Sequence, residues 1–331
     1  MNPDLKIRFL RAMLHARISD EAEQALKRKG LVPFELSSEG HEALAAIAFA
    51  MRPDDWLHPH YRDRAIVLAR GVSDREIFLD FFSRSGAPSA GRQMPVHYNS
   101  RALRIVTLST PVATNALQAA GMALSLKERG IPEVVIASIG DASSREGEFY
   151  EALAMAAADQ LPVVFVIEDN GYGISTPTAG RTFWKMKHGV TENSDGSWFH
   201  GCAVLRVDGL DPEAIYEATL SAIDQARSGA GPTILIANVE RLKSHSSSDD
   251  QRIYRSADEL EHLKDPVKLY MQRCLDSGIV DQRAIAVMRQ ELHDQVNEAA
   301  RQAIGEGEPD PGQEIDSVFA PLPFSLCNAV E

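Results

Sequence analysis

Three apolar runs of strand length, residues 134–139, 162–167 and 232–239, constrain this chain more than any other feature. Each is a nearly continuous string of Val, Ile, Leu, Phe or Ala rather than an alternation, which is the pattern of a strand buried on both faces. Helical patterns at 116–129, 149–158 and 211–228 separate or follow them, and residues 202–207 and 105–108 supply two more short strands. Strands alternating with helices predict an α/β fold: a parallel sheet with helices on both faces.

The flanks are helical. Apolar residues at helical spacing (Leu5, Phe9, Leu10, Met13, Leu14) predict a helix over 4–30, stopped by Gly30 with Pro33 beyond it. Further helices are expected over 40–51 and 74–85, with a polar-aromatic loop at 56–64 and a Gly/Ser/Pro loop at 85–94. Residues 244–252, rich in Ser and Asp, read as an exposed loop. Helical periodicity returns over 256–304, followed by a linker (305–312) and a tail. We therefore expect an α/β domain with N-terminal helices over 1–255 and a helical extension over 256–331.

Composition narrows the partners. The net charge of −13, from 34 basic and 47 acidic residues, argues against a nucleic-acid partner, which needs a basic face. Three scattered cysteines (Cys202, Cys274, Cys327) have no ligand or redox spacing and suit a reducing compartment. The first residues lack the form of a signal peptide, and the apolar runs are too short to span a bilayer. The expectation is a soluble cytoplasmic protein with no membrane partner.

The strand ending at Gly140-Asp141 and the strand ending at Glu168-Asp169-Asn170 carry the chemistry. Joined by a right-handed crossover, parallel strands finish at the same edge of the sheet, where open α/β sheets bind ligands. If the two are neighbours, Asp141 and Asn170 stand roughly 5 Å apart. A carboxylate and an amide oxygen are hard donors suited to Mg²⁺, which completes its shell with water and substrate phosphates. The turn Asn170-Gly171-Tyr172-Gly173 offers a backbone carbonyl as a third ligand, and the intervening helix N-terminus favours phosphate. Gly-Asp and Asp-Asn-Gly are also common turn chemistry, so these pieces alone leave both readings open. His58 and His60 suggest a metal pair, but no further ligand has suitable spacing.

The surrounding sequence carries a resemblance. The span from Gly140-Asp141 to Asp169-Asn170 resembles the thiamine diphosphate motif of the transketolase-like superfamily. The longer string GDASSREGEFYEALAMAAADQLPVVFVIEDNGYGIST is similar to the alpha subunit of 2-oxo acid dehydrogenase E1 components. So are PHYRD (59–63), GRQMPVHY (91–98), STPVAT (109–114), and HSSSDD (245–250) with Tyr254-Arg255 after it. The resemblance runs from about residue 10 to residue 320. Segments 92–97 and 245–250 look more like the branched-chain (2-oxoisovalerate dehydrogenase) type than the pyruvate type.

That resemblance implies thiamine diphosphate, Mg²⁺ and, in some relatives, K⁺. It implies Mg²⁺ ligands at Asp141, Asn170 and the carbonyl of Tyr172. It places Tyr61, Arg62, Thr110, Val112, Ala142, Ser143, Glu168 and His245 at the cofactor, with His245 catalytic, and matches Ser109, Pro111, Thr114 and Asn115 to a potassium loop. The implied reaction is oxidative decarboxylation of a small 2-oxo acid, 3-methyl-2-oxobutanoate and its homologues, with acyl transfer to a lipoyl E2 acyltransferase. Pyruvate or acetoin is the alternative substrate, and a non-catalytic subunit retaining the fold is the alternative role. The carboxylate that activates the cofactor's aminopyrimidine belongs to an E1 beta subunit in this family, so a heterotetramer of two alpha and two beta chains is implied.

Four positions depart from the family pattern. Ala142 stands where Gly is usual, which predicts crowding of the diphosphate or a backbone forced from a glycine-only conformation. Asp169 replaces a common Asn, Asn115 a usual Gln, and Glu168 sits where some relatives carry a phosphate-binding Arg.

Overall fold

The computed structural model describes residues 1–186 and 197–312. In chain order the strands are β1 Trp56–His58, β2 Val135–Gly140, β3 Val163–Asp169, β4 Tyr172–Gly173, β5 Thr176–Pro177, β6 Ser197–Phe199, β7 Cys202–Asp208 and β8 Thr233–Asn238. The α-helices are α1 Pro3–Arg28, α2 Ala45–Ala50, α3 Arg64–Arg70, α4 Asp74–Phe81, α5 Thr114–Glu128, α6 Gly147–Ala158, α7 Pro212–Arg227, α8 Ala257–Glu261, α9 Pro266–Asp276 and α10 Gln282–Ile304.

The main sheet has the order β1-β2-β3-β8-β7-β6. Its neighbours run parallel except β6, which turns back antiparallel on β7 as an edge hairpin. Along β2 and β3 successive side chains enter opposite cores. Ile136, Val164 and Val166 pack with α1, α2 and α7, whereas Val135, Ala137, Phe165 and Ile167 pack with α5 and α6. This period of two explains why the runs are apolar throughout: both faces are covered.

The helical flank after residue 256 shares one core with the first helix. Val267, Tyr270, Ile285, Leu292 and Val296 join the cluster that holds Phe9, Leu10 and Met13. α4 opens with a reciprocal cap between Ser73 and Glu76, which satisfies two orphan donors at once.

Several sequence expectations shift. Residues 105–108 are not a strand: Ile105 alone bridges to Leu57 and Ser100. The loop expected at 56–64 contains β1, whose register against β2 (Leu57 opposite Ile136) recruits it into the sheet. The helix expected over 40–51 is a 3₁₀ turn, Glu42–Leu44, leading into α2, and the one over 74–85 stops at Phe81. Cys202 and Cys274 are free and buried, and Cys327 lies outside the described residues. Among the described residues no helix is long and apolar enough to cross a membrane.

Candidate active site

The site is built on the carboxyl edge of the sheet. β2 and β3 are adjacent and parallel, with Gly140 opposite Glu168, so Asp141 leaves that edge one residue further on and Asn170 two. Asp141 is buried, and its carboxylate accepts a hydrogen bond from the Thr178 hydroxyl. Among the described residues no Lys, Arg or His forms an ion pair with it. Burial, joined by the charge of Asp169, pushes its carboxyl up to about 6 against the pull of Thr178. A buried carboxylate without a cation is costly, and a divalent ion resolves that cost.

Asn170 Oδ1 accepts from the Tyr172 backbone N–H at 3.1 Å, and Gly171 N–H donates to Asp169 Oδ1 at 3.2 Å, which folds the turn tightly. The chain then doubles back, with Tyr172 opposite Pro177. Thr178 N–H donates to Gly171 O at 2.9 Å, so Tyr172 occupies the non-hydrogen-bonded pair of this small ladder. Pro177 has no N–H. The hairpin therefore leaves the Tyr172 carbonyl unspent. One carboxylate, one amide oxygen and one carbonyl form the hard-oxygen set that suits Mg²⁺, so the donors present fit that ion. Among the described residues no group of three His, Cys, Asp or Glu is placed to hold a metal, and His58 instead meets Gln118 Oε1 at 2.8 Å.

Ala142 does not strain the backbone. It lies in ordinary right-handed helical geometry, φ −64° and ψ −35°. Its methyl faces Gly173, where an added Cβ would come within 2.6 Å of it. The expectation of a glycine-only conformation at 142 is thus corrected; the tight spot is at 173. Ser143 begins a 3₁₀ turn, Ser143–Arg145, that precedes α6.

A cationic arm reaches the same edge from the loop between β1 and α3. Arg62 is 2% exposed; one guanidinium nitrogen donates to the Ser37 carbonyl and another to His245, to Nδ1 at 3.0 Å and to the carbonyl at 2.9 Å. The guanidinium also lies 5.1 Å from the Tyr61 ring centre, and Tyr61 meets the His245 ring edge to face at 6.1 Å. Since Arg can only donate, Nδ1 of His245 accepts and Nε2 carries the proton of the neutral ring. Burial first, then the charges of Arg62 and Arg241, lower the His245 pKa to about 4. The imidazole is held neutral and in one tautomer.

The loop carrying His245 is half-buried and tied down rather than simply exposed. His245 N–H donates to Asp249 Oδ2 at 2.8 Å, and Ser247 exchanges hydrogen bonds with the Glu35 backbone at 2.9 and 3.0 Å. Its Ser and Asp content serves these turns. At Gly40, φ +102°, a Cβ would lie 2.1 Å from the Glu240 carbonyl, so only glycine permits the two segments to cross. The Tyr172 ring joins this loop to the turn at 170–173. Arg241 and Arg255 stand 5.5 and 4.9 Å from its centre, and its hydroxyl donates to Glu259 at 2.9 Å.

Glu168 is fully buried behind the edge. Its Oε2 accepts from His41 Nδ1 at 2.7 Å and His60 Nδ1 at 3.2 Å. Burial opposes its ionisation, but the two imidazoles and Asp63 win and hold it well below the usual carboxylate range. Asp63, buried and beside that charge, is held well above its own range. Asp169 is likewise spoken for, by Trp184 Nε1 at 2.8 Å and Lys185 Nζ at 2.6 Å.

The 109–115 segment is different. Thr110 is exposed and its hydroxyl meets His97 Nε2 at 3.2 Å; Val112 is 59% exposed. Pro111 is exposed, Ser109 and Thr114 are half-buried, and the Asn115 amide donates to the Ser138 carbonyl at 2.7 Å. Sequence reasoning missed Thr178 and the His41–His60–Asp63 group. Thr178 lies two residues past the matched string, and only folding brings His41 to the segment that carries His60 and Asp63.

The carboxyl edge of this α/β sheet thus carries an oxygen donor set, and the Tyr172 ring links its turn to the loop of the arginine-bound histidine. The chain belongs to the dehydrogenase E1 component family, whose model matches residues 10–312. It is 36% identical over 316 residues to the 2-oxoisovalerate dehydrogenase subunit alpha of Bacillus subtilis (strain 168), covering 94% of each chain. It is 33% identical to the mitochondrial 2-oxoisovalerate dehydrogenase subunit alpha 1 of Arabidopsis thaliana, over 90% of this chain and 63% of that one. With the pyruvate dehydrogenase E1 component subunit alpha of Bacillus cereus it shares 30% identity, over 98% of this chain and 84% of that protein.

Proposed function

We propose that this chain is the alpha subunit of a branched-chain 2-oxo acid dehydrogenase E1, acting on 3-methyl-2-oxobutanoate and its homologues. The observation that carries the reading is the buried Asp141, which pairs with no cation among the described residues, on the same sheet edge as Asn170 and the unspent Tyr172 carbonyl. Asp141, Asn170 and Tyr172 would hold Mg²⁺. Tyr61, Arg62, Ala142, Ser143 and His245 would bind the diphosphate end of thiamine diphosphate, with Thr110 and Val112 at its rings. Glu168 supports the same edge from behind. Ser109, Pro111, Thr114 and Asn115 are the candidate potassium loop.

When bound, the cofactor supplies the carbon nucleophile and electron sink for decarboxylation. The chain's own residues bind and orient. Arg62 offers charge-assisted hydrogen bonds to an anion. His245 presents Nε2–H, with its other nitrogen fixed by Arg62, and so can donate a hydrogen bond toward the substrate side. The exposed Met94, Val112 and Ile174 on the loops around these residues fit a surface that a beta subunit covers, and a lipoyl E2 would receive the acyl group.

The test is co-expression with a candidate beta subunit, calorimetry with thiamine diphosphate and Mg²⁺, and artificial-acceptor assays across 2-oxo acids. We expect binding that Asn170→Ala abolishes, and turnover favouring branched acids. Absent binding by the wild-type complex would sink the enzyme reading. Equal rates with pyruvate would favour the second reading, for which the 30% identity to the Bacillus cereus subunit speaks.

A further inference from the structure

Thr178 stands where two of the candidate donor elements meet. It directly follows β5, the return strand of the small hairpin, and is 3% exposed. Its N–H donates to the Gly171 carbonyl at 2.9 Å, and its own carbonyl accepts from the Arg181 N–H at 3.0 Å. Its hydroxyl donates to Asp141 Oδ2. A threonine side chain is stiff about its first torsion, so a backbone pinned on both sides sets the direction of that hydroxyl. One residue thus ties the turn at 170–173 to the aspartate that follows β2.

This tie limits what Asp141 can offer a cation. With Oδ2 held by the hydroxyl, a cation meets the carboxylate through one oxygen rather than through a chelating pair. A second carboxylate stands beside it but is withdrawn. Asp169 Oδ1 accepts from the Gly171 N–H at 3.2 Å, and Oδ2 from Trp184 Nε1 at 2.8 Å and Lys185 Nζ at 2.6 Å. The turn also lacks slack: a Cβ on Gly173 would fall 2.6 Å from the Ala142 methyl carbon. Few oxygens on a cramped turn suit Mg²⁺, which keeps a small octahedral shell completed by water. Ca²⁺ takes more oxygens at longer range and accepts a carboxylate through both of its oxygens.

We propose that Thr178 is a specificity-determining positioning residue: by holding Asp141 Oδ2 it keeps that carboxylate to a single metal-binding oxygen, and so favours Mg²⁺ over Ca²⁺. The inference rests on the reading of this edge as a metal–diphosphate site, and it adds to that reading a rule of cation choice. Freed of the hydroxyl, Asp141 can turn both oxygens toward a larger ion and loses the aim that serves the smaller one.

The experiment uses the metal-depleted complex with its beta partner at fixed thiamine diphosphate, titrated by calorimetry with Mg²⁺ and, separately, with Ca²⁺. Thr178→Val keeps the backbone N–H and nearly the same volume but removes the donor. It should weaken Mg²⁺ binding about tenfold, the scale of lost support behind a metal ligand, and Ca²⁺ binding much less. The ratio of Ca²⁺ to Mg²⁺ affinity should therefore rise about threefold or more. Thr178→Ser retains the hydroxyl and should keep that ratio within about twofold of wild type. Thr178→Ala should move the ratio as valine does, and it takes the place of valine if melting of the metal-free complex shows the valine variant unfolded. A smaller rise of the ratio in the hydroxyl-free variants overturns the proposal, because a merely structural role weakens both cations alike. A serine variant that shifts the ratio as far as valine overturns it too. A wild-type complex that binds neither cation fails differently: it removes the underlying site reading, and this inference with it.

Discussion

The two ends of the candidate site are made in different ways. At the candidate metal end, each group is fixed by strand register, a tight turn or a buried partner: Asp141 by Thr178, Asn170 by its own turn, Tyr172 between two arginines. At the other end, residues 109–112 lie in a loop whose last residue, Val112, is mostly exposed, and the next, Ala113, adopts φ +66°. That left-handed conformation is unfavourable for a residue with a Cβ. The contrast teaches where one chain suffices. A parallel sheet edge aligns ligands by itself, whereas a surface loop gains its geometry from whatever covers it.

The metal end is the easier one to break. Gly173→Ala would set two methyls 2.6 Å apart and should cost about 2 kcal/mol through overpacking. Cofactor affinity should fall with it, because the same turn carries the Tyr172 carbonyl. Adding Ala142→Gly should restore most of both, measured by denaturant unfolding and calorimetry. If the double variant stays as weak as the single one, the methyl contact is not what fixes the turn.

A second prediction concerns His245. Its folded pKa of about 4 lies below the ordinary value of 6.5. Between these values the unfolded chain binds more protons, so stability rises with pH. The contribution is complete above about 6.5 and is lost as pH falls through about 4, on the order of 2 kcal/mol in all. His245→Gln should flatten the stability profile of the chain in that window. An unchanged slope would show that Arg62 and burial do not hold the ring neutral.

The smallest effect belongs to the loop. Val112→Ser should change the stability of the isolated chain by less than about 0.5 kcal/mol, as exposed positions do. It should still weaken association with the beta subunit, read by sedimentation. A large loss of stability in the isolated chain would mean that the loop is already packed, and the contrast would fail.

Much of the metal end was legible in the sequence. Unbroken apolar runs demand a two-faced sheet, and Asp141 and Asn170 follow two such runs directly. Arg62 and His245 were legible only through the family resemblance, because nothing local ties an arginine at 62 to a histidine at 245. The Glu168 hub was not legible. His41, His60, Asp63 and Glu168 stand on three separate segments, and no local pattern ties them to one another. The alanine at 142 was noticed for the wrong reason: the sequence shows a methyl, but only the fold shows that it points at Gly173 rather than straining its own backbone. Residues 244–252 look like a solvated loop because hydrogen bonding within turns and solvation call for the same side chains.

The crossing at Gly40 has a consequence in time. Residues 35–40 and 240–247 touch backbone to backbone, although two hundred positions of chain separate them. The central strand β8, next to β3, comes just before the histidine loop. Contacts so distant in sequence close late, once the intervening chain has already collapsed. A nascent chain that has emerged only as far as β8 would own the strand ends at 141 and 170 but not the arginine–histidine arm. The two halves of this edge are therefore born in order, and the arginine–histidine half is the last part of the sheet's rim to exist.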